Sequence, residues 1–190
     1  MEEGSAIAGV QQKLIALLSD ESISLYVKGE IIERMDSLYV KSNNGGEAEK
    51  KLWQYAEMEH SDLASTALAT LARLSYTTED IDKNRLSELA NALIANENMS
   101  VNTRVTALEV ADWLDKAELD VTMVKILTQK KQPEPLQLAA INMLSRSVND
   151  SSLNKLLELA KSENVTLSQA TDEAISAMRE QIGREAQAAH

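Results

Sequence analysis

Val101-Asn102-Thr103-Arg104-Val105-Thr106-Ala107-Leu108 is the stretch whose reading decides the fold. Its apolar residues Val101, Val105 and Leu108 recur at intervals of four and three, and Ala111 and Leu114 extend the series. A half-buried strand would alternate at every second residue; intervals of three and four line one face of a helix instead. Wound at about 100° per residue, the segment gathers Val101, Val105, Ala107, Leu108, Ala111 and Leu114 on one wide arc. Asn102, Thr106, Glu109 and Trp113 fall on the opposite side.

The step at Ala107-Leu108, with Ala111 one turn on, recurs along the chain. It is found as Ile31-Ile32 with Met35, Ala67-Leu68 with Leu71, Ala140-Ile141 with Leu144, and Ala174-Ile175 with Met178. First positions at 31, 67, 107, 140 and 174 give spacings of 36, 40, 33 and 34 residues. A period in the thirties accommodates one helix–turn–helix unit per repeat. Ahead of each step runs another helix-periodic segment, marked in turn by Val10, Leu14, Leu17 and Leu18; by Leu52, Tyr55 and Ala56; by Leu86, Leu89, Leu93 and Ile94; by Val121, Val124 and Leu127; and by Leu153, Leu156, Leu157 and Ala160. Polar turns separate the two members of each pair: Ser19 to Ser22, His60 to Asp62, Asn96 to Ser100, Lys130 to Pro135 and Ser162 to Asn164. Their Ser, Asp and Asn side chains suit helix N-caps, and Pro135 suits a first helical turn. Turns between pairs are expected near Ser42 to Gly46, Tyr76 to Asp80, Lys116 and Asn149-Asp150, with Gly45-Gly46 the best place for a proteolytic nick.

The chain therefore reads as all-α: one domain over residues 1–190, built of about five antiparallel helical hairpins. They span about 5–39, 47–76, 81–115, 118–147 and 150–182, followed by a tail from Gly183 that should fray. Composition agrees. Phe is absent, aromatics total 3%, and only two prolines and six glycines interrupt the 190 residues, too few for the many tight turns of a β-sandwich or barrel.

Charge narrows the partners. The formal net charge of −11 supplies no basic footprint for a nucleic-acid backbone, nor for an anionic membrane surface. Without cysteine there is no disulfide, thiolate nucleophile or Cys-ligated zinc. No apolar run reaches the roughly 18 residues of a membrane span. The acidic start Met1-Glu2-Glu3-Gly4 is unlike a signal peptide, so the sequence predicts a cytoplasmic protein, with a periplasmic or secreted mature form as the alternative.

A polar turn followed by Val-x-x-Arg-Val-x-Ala-Leu, as at Val101 to Leu108, resembles a HEAT or armadillo-type repeat, and Leu136-Gln137-Leu138-Ala139-Ala140-Ile141 is similar. The likeness covers roughly residues 5–182. The Asp-Pro turn usual in such repeats is absent, Pro133-Glu134-Pro135 being a distant version, and the Trp, Leu-Gly and Tyr pattern of tetratricopeptide repeats is not found. The resemblance implies a right-handed α-solenoid, an α–α superhelix, with the second helix of each pair lining the concave side.

Carrying the polar-face positions of the third pair to the others selects Glu30, Glu33 and Ser37; Thr66, Ala69 and Arg73; Ala139, Asn142 and Arg146; and Glu173, Ser176 and Glu180. Trp and Arg are the residues most enriched among binding hot spots. The candidate binding residues are accordingly Arg73, Thr106, Glu109, Trp113, Asn142 and Arg146, with Arg73, Trp113 and Arg146 side by side at the centre. Such a stripe would hold an acidic or aromatic partner segment by paired charge and cation–π contact. The competing reading packs Trp113 on its neighbours and pairs the arginines with local carboxylates.

Other conspicuous residues read as structural. Trp53 and Tyr55 are expected in the core. His60 and His190 are too isolated to form a metal site. Asn98-Met99-Ser100, Asn149-Asp150-Ser151 and Asn164-Val165-Thr166 match glycosylation sequons but fall where helix caps are needed. No catalytic residue, cofactor site or metal site is assigned. HEAT-like DNA glycosylases are strongly basic and HEAT-like di-iron hydroxylases carry repeated His-Glu pairs, neither of which this chain has. The reading is a non-catalytic protein-interaction or scaffold module whose partner is another protein. The alternatives are a small-molecule or cofactor lyase-type enzyme or helper on the same scaffold and a structural subunit of a larger assembly.

Overall fold

The computed structural model describes residues 2–36, 46–59, 61–114, 119–129, 131–147, 149–161 and 164–188. All regular structure among them is helical: α1 (Glu2–Ser19), α2 (Leu25–Arg34), α3 (Glu47–Ala56), α4 (Leu63–Thr77), α5 (Lys83–Ala95), α6 (Val101–Leu114), α7 (Leu119–Thr128), α8 (Glu134–Leu144), α9 (Asp150–Leu159) and α10 (Val165–Ala188). The chain divides into two compact units, Met1–Leu114 and Asp115–His190. No helix among the described residues is long and apolar enough to cross a membrane. The turns expected at Ser42, His60, Lys116, Lys130 and Ser162-Glu163, and the polar-face position Ser37, lie outside the described residues.

Turn side chains start the helices as their chemistry predicts, by accepting bonds from amides that have no intrahelical partner. Ser24 caps α2 by accepting from the Val27 amide, and Ser100 caps α6 by accepting from the Thr103 amide. Asn149 and Asn164 accept from the amides of Ser152 and Leu167, so two of the sequon asparagines serve as caps. In the α1–α2 turn, Asp20 accepts from the Ser22 hydroxyl at 2.7 Å and its amide at 2.8 Å, which holds the carboxyl below its ordinary pKa. Asp82 caps α5 by accepting from the amides of Asn84 and Arg85 at 2.9 and 3.2 Å. The Asp82→Ala substitution should cost about 1 kcal/mol, read as a lowered urea midpoint with an unchanged slope.

Helix α4 is the centre of the first unit, because α2, α3, α5 and α6 all pack on it. Leu63, Ala64, Ala67, Leu68, Leu71, Ala72 and Leu74 are buried along it, as are Thr70 and Ser75. The alanines let neighbouring helices come close, and the leucines fill the spaces between. Buried hydroxyls find local acceptors: Thr70 donates to the Ile32 carbonyl in the last turn of α2, and Ser75 donates to the Ala72 carbonyl. Further along, the Tyr55 hydroxyl donates to the Leu18 carbonyl at 2.6 Å, tying α3 to the end of α1. Burial raises the pKa of that phenol. Trp53 is buried, donates to Glu49 Oε1 at 3.0 Å, and carries the Arg85 guanidinium 4.0 Å from its ring centroid.

On α6, Ala107, Leu108 and Ala111 are buried as their spacing predicts, whereas Val101, Val105 and Leu114 are half-buried. The buried arc also takes in Thr103, Val110 and Arg104. Arg104 is 5% exposed, and its Nε donates to the Ile94 carbonyl in the last turn of α5 at 3.0 Å. Burial lowers the pKa of this guanidinium, an effect that Glu97 opposes.

In the second unit α8 packs on α7, α9 and α10 through buried Leu136, Ala140, Ile141, Met143 and Leu144. Pro135 lies in its first turn, as expected. Asp120 at the start of α7 accepts from the Ser147 hydroxyl at 2.8 Å and from Asn149 Nδ2 at 2.8 Å, which fixes the α8–α9 turn. Helix α10 continues through Gly183 to Ala188, where the sequence predicts fraying. The helix-favouring Arg-Glu-Ala-Gln-Ala that follows offsets the roughly 1 kcal/mol penalty of one glycine.

Candidate binding surface

The C-terminal ends of three helices meet in the first unit. Helix α4 presents Arg73, Tyr76 and Thr77, spaced three and four residues apart and so on one face. With Asp36, just past α2, and Trp113, in the last turn of α6, they line an open pocket of about 610 Å³. That volume falls within the roughly 300–1,000 Å³ usual for ligand sites.

Two aromatic side chains give the pocket its apolar wall. Trp113 is 54% exposed and Tyr76 is 60% exposed, their ring centroids 6.1 Å apart at 77°, an edge-on contact. The Tyr76 hydroxyl donates to the Trp113 carbonyl at 3.4 Å, and the Lys83 ammonium lies 5.5 Å from the Tyr76 ring centroid. Trp113 thus faces away from the core, as its place on the helix predicts. The charged wall differs from expectation. Arg73 donates from Nε to Asp36 Oδ2 at 2.7 Å, and from Nη2 to both the Thr70 hydroxyl and the Glu33 carbonyl. Arg73 is thus paired with a local carboxylate, as the competing reading of the arginines has it.

Two further pockets continue from the first. One of about 250 Å³ is lined by Glu33, Ser65, Thr66, Ala69, Arg73 and Thr106. Another, of about 450 Å³, shares Glu33 and Thr66 and reaches Leu25, Tyr26, Glu30 and Asp62. The three adjoin through these shared residues, in a row along α2, α4 and α6.

Of the candidate residues, Arg73 and Trp113 line one pocket, and Arg73 and Thr106 line the next. Glu109 is exposed on α6 and lines neither. Asn142, on α8, and Arg146, just beyond it, are exposed residues of the second unit. Sequence reading missed both tyrosines. Tyr76 passed for the start of a turn, although it sits one helical step from Arg73; Tyr26 lies next to the Ser24 cap and is 76% exposed. Among the described residues there is no group of three or more His, Asp or Glu placed to hold a metal ion.

No family model matches the chain, and no curated protein or solved structure is detectably similar to it.

Proposed function

We propose that the chain is a non-catalytic protein-interaction module of the HEAT-like α-solenoid kind, holding a segment of a partner protein along the groove of α2, α4 and α6. The observation that carries this reading is the exposed Trp113–Tyr76 pair at the head of a groove-shaped surface. A large aromatic left half in water, framed by a second aromatic and by fixed polar groups, is the usual composition of an interface anchor. An extended surface built from successive helices is also what a repeat stack offers a peptide.

The test is affinity capture from the native host with the intact chain and with the Trp113→Ala variant, quantified by mass spectrometry. A partner held through this surface should be retained by the native chain and reduced at least about tenfold by the variant, the scale of a hot-spot truncation. Equal recovery of every captured protein would show that the groove is not the binding surface. The Arg146→Ala variant, measured alongside, reports whether the second unit takes part.

A further inference from the structure

Resting on that reading, we infer that the occupant of the groove is a basic segment of the partner, with an arginine or lysine laid on Trp113 and an apolar or aromatic side chain at the Tyr26 end. Three independent features favour this chemistry.

The first is charge. Among the described lining residues, four carboxylates, Glu30, Glu33, Asp36 and Asp62, stand against the one cation Arg73, which Asp36 already neutralises. Glu30 faces Arg34 at 3.7 Å, a solvent-exposed pair of the weak kind. Asp62 makes no capping bond to its own helix. A basic chain meets complementary charge here, whereas an acidic one meets repulsion. A second copy of this chain, itself carrying −11, is disfavoured on the same ground.

The second is the helix ends. The pocket at Trp113 is built from the C-termini of α2, α4 and α6, where backbone carbonyls outnumber their intrahelical donors and the helix dipole is negative. Arg73 already uses one of these carbonyls, that of Glu33. A guanidinium or ammonium from a partner would find the same kind of acceptor.

The third is the way this chain treats its own aromatics. Arg85 stacks on Trp53 and Lys83 approaches Tyr76. Among the described residues no cation covers the Trp113 ring, which meets only the edge contact with Tyr76. An exposed indole beside carboxylates is the aromatic surface best suited to a cation.

The experiment pans a random peptide phage library on the immobilised full chain. Enriched peptides are then resynthesised with a fluorescent label and titrated by anisotropy against variants whose helical content matches the native chain. The expected result is enrichment of peptides combining Lys or Arg with Trp or Leu. Their affinity should fall at least about tenfold for Trp113→Ala. It should fall about fivefold for the double variant Glu33→Gln with Asp62→Asn. The charge-matched control, Glu47→Gln with Glu88→Gln on exposed positions of α3 and α5, should change it by less than about twofold, as neither residue lines the groove. Acidic or uncharged peptides that still need Trp113 would overturn the basic assignment while leaving the binding function intact. Basic peptides weakened as much by the control pair as by the groove pair would also overturn it, as attraction to net charge alone. Failure to enrich any peptide, or peptides indifferent to Trp113→Ala, would remove both the assignment and the function it rests on.

Discussion

The Leu108→Pro variant is expected to lose the folded first unit. Leu108 is fully buried near the middle of α6. Proline there removes the amide that bonds to the carbonyl four residues back and drives its ring into that turn, a cost of about 3 kcal/mol or more. Removing the leucine side chain from its packed site adds a further cost on the scale of about 2–5 kcal/mol for large-to-small core changes. The sum rivals the roughly 5–15 kcal/mol that separates folded from unfolded domains. Because α6 packs on both α4 and α5, the loss should spread beyond one helix. Hydrogen exchange by mass spectrometry should show α4, α5 and α6 losing protection together, with a matching loss of far-ultraviolet ellipticity. If only α6 exchanged faster while α4 stayed protected, cooperative packing around α4 would be the wrong account.

The second large effect is expected at Arg104. Truncation to alanine takes a donor from the Ile94 carbonyl and leaves a space where the aliphatic stem was packed. An acceptor deprived of its partner in a buried site costs about 1–3 kcal/mol, and lost stem packing adds to it. Arg104→Ala should therefore destabilise by about 3 kcal/mol. Arg104→Met retains most of the stem and removes a charge that is costly to desolvate, so it should recover at least about half of that loss. Urea denaturation of the three proteins gives the comparison. A methionine variant as unstable as the alanine variant would mean that the hydrogen bonds, and not the packing, carry the effect.

Much of this architecture is legible in the sequence because apolar spacing and turn chemistry are local signals. Ala67-Leu68 with Leu71, and Ala107-Leu108 with Ala111, declare the buried faces of α4 and α6 directly, and each proves buried. Asn149 and Asn164 announce caps by residue type and position, and both act as caps. What stayed illegible depends on contacts between distant residues. Nothing local separates Arg104, buried against the end of α5, from an arginine in solvent. Nothing local tells that Asp36 will neutralise Arg73 from 37 positions away. The division at Leu114 was hidden too, since the turn near Lys116 reads like those between the other pairs. At the candidate site, helical position turns Trp113 outward, but its companion Tyr76 reads as the first residue of a turn, whereas α4 runs on through Thr77.

The bond from Tyr55 to Leu18, and that from Thr70 to Ile32, join the first two helices to the next two without using the glycine-bearing connection between them. These contacts are expected to hold those helices in register even when the covalent link across residues 37–45 is cut. Termini could be relocated there by circular permutation, or the first unit reassembled from two separately synthesised fragments, with the helix contacts serving as the template.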